Sequence, residues 1–214
     1  MSTRRVVVVS AGLSVPSSTK LLADQLGTAV ARAVEARGAE VEVRHIELRP
    51  LAHALADHLL TGFATGDLAE VLGAVRSADA LVVVTPVFSA SYSGLFKIFF
   101  DVLERGAIDG TPVIVAATAG TPRHSLVLDH ALRPLFSHLR ASIVPTGVFA
   151  ASEDFGDSLL EKRIDQAAAE LAALITIGSG DQPVVAARRS VEDELAAPTP
   201  FERLLREAGG DSVR

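Results

Sequence analysis

Ala80-Leu-Val-Val-Val-Thr-Pro-Val-Phe-Ser-Ala-Ser-Tyr-Ser-Gly-Leu-Phe-Lys-Ile-Phe-Phe-Asp101 is the stretch around which the chain is organised. Residues 80–84 form a continuous apolar run, rich in β-branched side chains, too short for a helix and without polar alternation. That is the pattern of a central parallel strand covered on both faces. Thr85-Pro86 is expected to end the strand, because proline cannot donate to a ladder and biases its predecessor toward extended geometry. Beyond Gly94, the apolar residues Leu95, Phe96, Ile98, Phe99, Val102 and Leu103 recur at helical spacing. A small, hydroxyl-rich loop between two apolar elements suggests a ligand site.

The same strand-loop-helix sentence repeats along the chain. Residues 6–9 read as a first strand, and Leu21, Leu22, Leu26, Ala29, Val30, Ala33 and Val34 as an amphipathic helix that Gly38 terminates. Val41 and Val43 alternate with charged residues, as expected for a second strand at a sheet edge. Leu51, Leu55, His58 and Leu59 share a helical face that Thr61-Gly62-Phe63 would break, and Leu68, Val71, Leu72 and Val75 mark a further short helix. Strands follow at residues 112–117 and 143–149. Helices are expected at 124–140 and 158–177, the last burying Leu159, Leu160, Ile164, Ala167, Leu171 and Leu174. This βα alternation argues for an α/β domain, a parallel sheet with helices on both faces. The domain is expected over residues 1–178. A Pro- and charge-rich extension, extended or partly disordered, is expected over 179–214.

A chain of 214 residues that is 49% hydrophobic can bury one sizeable core, so no second domain is needed. A net charge of -6 argues against nucleic acid as the main partner. The first apolar run is too short for a membrane span or a signal segment, so the basic start reads as that of a cytoplasmic protein. The absence of cysteine excludes disulfides and thiolate chemistry. The six histidines form no i, i+4 pair backed by carboxylates on one helix, so no metal site is expected.

Two further loops carry polar groups at strand ends. In Ser10-Ala-Gly-Leu-Ser-Val-Pro-Ser-Ser-Thr19, Ser17, Ser18 and Thr19 stand where a helix begins, which suits either an ordinary serine cap or a phosphate cradle. Thr118-Ala-Gly-Thr-Pro-Arg-His124 follows the fourth strand. Arg123 or His124 could attract an anionic phosphate, and a helix-start or interface role for His124 fits equally well.

The motif of residues 85–97, with Asp101 following, resembles the signature of NADPH-dependent FMN reductases, and the resemblance extends over about residues 5–177. It is most similar to reductases partnered with luciferase-like monooxygenases. The resemblance implies a flavodoxin-like three-layer sandwich, a five-stranded parallel sheet of order 2-1-3-4-5. That order brings together the loops after strands 1 and 3 at the topological switch point. It further implies an FMN site built from Ser10, Ser17, Ser18 and Thr19 around the phosphate. Pro86, Val87, Phe88 and Ser89 would line the isoalloxazine, with Ser91, Tyr92, Ser93 and Gly94 continuing the cradle, and Thr118, Ala119, Gly120 and Thr121 at the pyrimidine edge. Two departures stand out: Leu13 falls near an arginine of many relatives, for which Lys20 is a substitute candidate, and Phe88 replaces a frequent tyrosine.

Hydride transfer from NADPH or NADH to FMN uses the cofactors' own chemistry, so no catalytic acid or base is expected. The implied function is an NAD(P)H:FMN oxidoreductase supplying reduced FMN to a flavin-dependent monooxygenase. The alternatives are an FMN-bound reductase of quinones, azo dyes or metal oxyanions, and a flavodoxin-type electron carrier. A homodimer or homotetramer is expected, since Phe96, Phe99 and Phe100 offer more apolar area than one helix stripe needs. Lys97 and Asp101 read either as a surface pair or as support under the flavin loop. Pro134, inside the helical pattern 124–140, should bend or bulge that helix near His130. By resemblance, such a bulge lies at a tetramer contact beside the flavin.

Overall fold

The computed structural model describes residues 3–176, so the extension over 179–214 lies outside the described residues. Four long parallel strands dominate: β1 (Arg4–Ser10), β2 (Val41–Glu47), β3 (Ala80–Phe88) and β5 (Pro112–Ala119), with the two-residue β4 (Ser91–Tyr92) antiparallel to β3. Two short strands, β6 (Ser142–Ile143) and β7 (Val148–Ala151), both pair with β5 and together occupy the fifth place. The order is β2-β1-β3-β5 followed by β6 and β7, the flavodoxin-like 2-1-3-4-5 arrangement with β2 at the expected edge.

Strand period divides the core in two. Val6 and Val8 of β1 pack with Leu22, Leu26 and Leu171 from α1 (Ser18–Glu35) and α6 (Ser158–Thr176). Val7 and Val9 pack on the other face with residues of α2 (Ala52–Thr61), α3 (Asp67–Arg76), α4 (Gly94–Asp101) and α5 (Arg133–His138). Because successive side chains point to opposite faces, an apolar run without alternation is what a strand between two helical layers requires. α2 ends at Gly62, whose φ of 78° closes the helix in the left-handed region. On α6, Leu159 and Leu174 are exposed, contrary to expectation, because they fall outside the stripe of Leu160, Ile164, Ala167 and Leu171.

The fifth strand is broken rather than continuous over 143–149. Pro145 removes a ladder donor, and side chains from the covering helices satisfy the interrupted backbone. Arg133 donates to the carbonyls of Val144 and Pro145, and Arg163 Nε to that of Gly147 at 2.7 Å. Glu170 accepts the Thr146 amide at 2.8 Å and its hydroxyl at 2.7 Å. Burial pushes the Glu170 carboxyl up, but these two bonds, Gln166 and the Arg133 charge outweigh it and hold the group below the ordinary glutamate value of 4.5. A lowered folded-state pKa stabilises the fold fully above the ordinary carboxylate range. That stabilisation is lost as pH falls through the lowered value. Glu170→Gln is therefore expected to lessen the acid destabilisation seen in urea midpoints between about pH 7 and about pH 3. An unchanged pH dependence would show that Glu170 contributes nothing to it.

The segment 124–140 is not one helix. A 3-10 turn (Pro122–His124) leads to a π turn (Leu128–Leu132), in which the Arg133 amide reaches the Leu128 carbonyl five residues back, and only then to α5. Pro134 has no amide for the His130 carbonyl, and the wider turn accommodates the missing bond, with His130 at its centre as expected.

Candidate functional site

The carboxyl ends of β1 and β3 lie side by side, since Ser10 pairs with Val84 and the Ala11 amide donates to the Val84 carbonyl at 3.0 Å. The loops of residues 11–17 and 85–94 therefore open at one end of the sheet. β5 brings the third loop beside them, with Pro86 in register with Thr118.

The first loop is drawn tight. A Cβ on Gly12 would stand 2.1 Å from Ser17 Oγ and 3.3 Å from the Thr19 Cβ. Ser17 caps α1, its hydroxyl accepting the Lys20 amide at 3.2 Å. Thr19 is buried, and its hydroxyl meets that of Thr118 at 2.8 Å, a latch that spans β3 and ties the first loop to the third. Both threonines thus hold loops together, and sequence spacing alone does not show that pairing. Ser10 is buried at the end of β1, its carbonyl accepting the Leu48 amide at 2.9 Å. Ser14 and Ser18 remain exposed. The Ser18 and Thr19 amides begin the helix, where no intrahelical acceptor exists.

Lys20, the candidate for the charge that Leu13 lacks, is paired with carboxylates in this structure. Its ammonium lies 2.7 Å from Asp24 and 4.0 Å from Glu47, and the Asp24 hydrogen bond holds its pKa above the ordinary 10.5. Asp24 also faces His45 Nδ1 at 3.2 Å. Residues 11–17 themselves offer neutral donors only.

β3 does not stop at Thr85-Pro86 but continues to Phe88 and turns back into β4. Proline is tolerated because the strand is leaving the parallel sheet there. Ser89 and Ala90 form the turn with φ of 49° and 65°, the positive pair of a tight hairpin turn, here without glycine or asparagine. Phe88, Ser89 and Ala90 are exposed at the tip, while Pro86, Val87, Ser91 and Tyr92 are half-buried. Thr85 is fully buried and its hydroxyl accepts the Ser93 amide at 3.0 Å, closing the base of the hairpin. Ser93 is also buried, its hydroxyl accepting the Phe96 amide at 3.2 Å as the cap of α4, so it shapes the cradle from beneath. Gly94 is exposed at the helix start. Lys97 and Asp101 form a partly exposed surface pair.

In the third loop Thr118 is buried in the latch and Ala119 half-buried, whereas Gly120 and Thr121 are exposed. Arg123 and His124 are exposed on the 3-10 turn. With Ala90, Ser91, Leu126, Val127, His130 and Ala131 they line a cleft of about 350 Å³ beside the hairpin. Sequence reading singles out Arg123, His124 and Ser91 separately but not their meeting in one cleft, which depends on the π turn and the hairpin standing together. Among the described residues no group of His, Asp and Glu is arranged to hold a metal ion. None of their helices is long and apolar enough to cross a membrane.

The NADPH-dependent FMN reductase family profile matches residues 4–156. The chain belongs to that family. It is 42% identical over 151 residues to an FMN reductase (NADPH) of Pseudomonas aeruginosa, covering 71% of this chain and 78% of the relative. The NADH-dependent FMN reductase SfnF of Pseudomonas putida is 41% identical over 151 residues, 71% of this chain and 79% of that one. A crystal structure of an oxidoreductase from Corynebacterium diphtheriae superposes with a TM-score of 0.80 at 54% identity, covering 83% of this chain and 99% of that structure. The family's activity is NAD(P)H-dependent FMN reduction, with FMN and NAD(P)H as cofactors, and this reductase shares it.

The three loops fit FMN chemically. The first combines exposed hydroxyls, helix-start amides and no carboxylate. The hairpin presents an apolar wall from Val87 and Phe88, and the third loop adds the exposed Gly120 and Thr121.

Proposed function

We propose that this reductase delivers reduced FMN to a separate flavin-dependent monooxygenase, releasing the flavin rather than retaining it. One observation carries the reading: the phosphate loop contains no uncommitted cation, because Lys20 is held by Asp24 and Leu13 supplies none. Amide and hydroxyl bonds to a phosphate are charge-assisted through the anion alone, and without a fixed cation beside it the phosphate lacks the added Coulombic attraction and exchanges more readily.

When bound, FMN would supply the hydride-accepting chemistry, with the nicotinamide as the two-electron donor that ends as NAD(P)+. In this reading the Ser18 hydroxyl and the amides of Ser18 and Thr19 hold the phosphate, Ser10 lies beneath it, and Ser17 and Thr19 keep the loop closed. Pro86, Val87, Phe88 and Ser89 line one side of the ring system, and Ser91, Tyr92, Ser93 and Gly94 shape its support. Ala119, Gly120 and Thr121 approach the pyrimidine edge, where amides stabilise the charge of the reduced ring. Thr118 acts through its latch to Thr19. Arg123 and His124 attract the nicotinamide nucleotide. A proton-transfer residue is unnecessary for hydride delivery.

Self-association belongs to the same reading, although its basis shifts. Phe96, Phe99 and Phe100 are buried within the chain and cannot be the contact. Exposed Leu59 and Leu60 of α2, with Phe63 just beyond it, provide apolar surface instead.

Steady-state NAD(P)H oxidation with and without added FMN tests the release. Oxidation should require free FMN, and Ser18→Ala should weaken FMN binding by about 1 to 2 kcal/mol in fluorescence-quenching titrations. Equal turnover of a quinone with flavin retained through gel filtration would overturn the proposal in favour of an FMN-bound reductase.

A further inference from the structure

The cleft beside the hairpin combines features that the phosphate loop lacks. Arg123, His124 and His130 project from the 3-10 and π turns around it, and among the described residues no carboxylate lines it. Among the described residues none of the three has an ion-pair partner, since the neighbouring Asp129 is bound to Arg133 Nε at 3.0 Å. The remaining wall includes Leu126, Val127 and Ala131, and the Ser91 side belongs to the hairpin itself. A guanidinium and two imidazoles facing an apolar wall suit an anionic group attached to a flat ring. The cleft's size falls within that of small-molecule sites.

We propose that this cleft receives the adenosine 2′-phosphate end of NADPH, with Arg123, His124 and His130 making the chain prefer NADPH over NADH. The proposal rests on the reading that a nicotinamide dinucleotide delivers its hydride beside the Thr85–Gly94 loop. The two dinucleotides differ only in that phosphate. A site that pairs it with cations discriminates between them, whereas contacts to the shared nicotinamide do not. Placement agrees with this division: Ala90 and Ser91 are common to the hairpin and the cleft, so a dinucleotide whose nicotinamide meets the flavin at the hairpin can extend its other end into the cationic pocket.

The test is a double variant, Arg123→Met with His124→Gln, both positions being exposed and outside the core. Its KM for NADPH is expected to rise about 10- to 100-fold, the range of charge-assisted hydrogen bonds, and by several-fold more than its KM for NADH. Calorimetric titration with 2′,5′-ADP needs no turnover and therefore reads the cleft even if the proposed activity fails. Binding should be detectable in the parent, weaker by a similar factor in the variant, and weaker for 5′-AMP than for 2′,5′-ADP in the parent. Equal shifts in both KM values, undiminished 2′,5′-ADP binding in the variant, or a loss of FMN affinity in its place would overturn the assignment. The last outcome would mean that the cleft serves the flavin phosphate. His130→Gln alone should lower 2′,5′-ADP affinity while leaving FMN affinity unchanged. Failure of both NADPH and NADH to drive FMN reduction in the parent would instead refute the functional reading.

Discussion

Gly12→Ala is expected to raise the FMN dissociation constant about 10- to 100-fold. The added Cβ would lie 2.1 Å from Ser17 Oγ, 3.2 Å from Ser17 Cβ and 3.3 Å from Thr19 Cβ. Rotating the serine hydroxyl removes the first clash but abandons the Lys20 amide, at a cost of about 1 kcal/mol for a lost helix cap. The other two contacts involve β-carbons fixed to the helix backbone, so the loop itself must move outward. Thr19 is latched to Thr118 and resists that movement. The loop's amides are then misaimed at the phosphate position, even though the sheet beneath is unaffected. Flavin fluorescence quenching measures the affinity, and a urea midpoint measures the accompanying loss of about 1 to 2 kcal/mol. Gly73→Ala is the control, because a Cβ there meets nothing within 4 Å and alanine favours the helix. A Gly12→Ala protein with parental FMN affinity would remove the first loop from the flavin site.

What the sequence disclosed depended on the range of the signal. The uninterrupted apolar runs of β1, β3 and β5 identify buried parallel strands, and their alternation with helical periodicity gives the sheet order once the flavodoxin-like pattern is recognised. Pro134 likewise announces its π turn locally, because the missing amide has a fixed partner four residues back. Other features require knowledge of which residues meet. The Thr19 and Thr118 hydroxyls are 99 residues apart, and each alone reads as an ordinary polar loop residue. Pro86 misleads for a related reason: a proline rule applied along the chain ends the strand, whereas antiparallel pairing to Ser91 and Tyr92 carries it two residues further. The break in the fifth strand is partly visible in Pro145. Its repair by Arg133, Arg163 and Glu170 comes from three separate helical positions and has no local signature.

Phe96→Ala is expected to cost about 3 to 5 kcal/mol, the range for truncating a buried phenylalanine and a large part of the 5 to 15 kcal/mol typical of a domain. Phe96 is fully buried at the junction of the hairpin, α4 and α5. Its ring lies 5.9 Å from Tyr92, 4.7 Å from Phe100 and 6.2 Å from Phe136, with Phe100 and Phe136 in turn 4.9 Å apart. Tilted and edge-on aromatic pairs add to the apolar area each ring hides, so truncation leaves a cavity and also removes specific contacts. The cluster ties the base of the Thr85–Gly94 hairpin to the π-turn segment, since Tyr92 lies in β4 and Phe136 in α5. The Phe96 amide separately donates to Ser93, but that backbone bond survives the substitution. Loss of the ring should therefore lower global stability and weaken FMN binding together. Phe96→Leu, which retains most of the volume, should recover the larger part of both. Urea denaturation and flavin titration on the same preparations decide the matter. A loss below about 1 kcal/mol in Phe96→Ala would show that the hairpin is positioned by its backbone bonds alone.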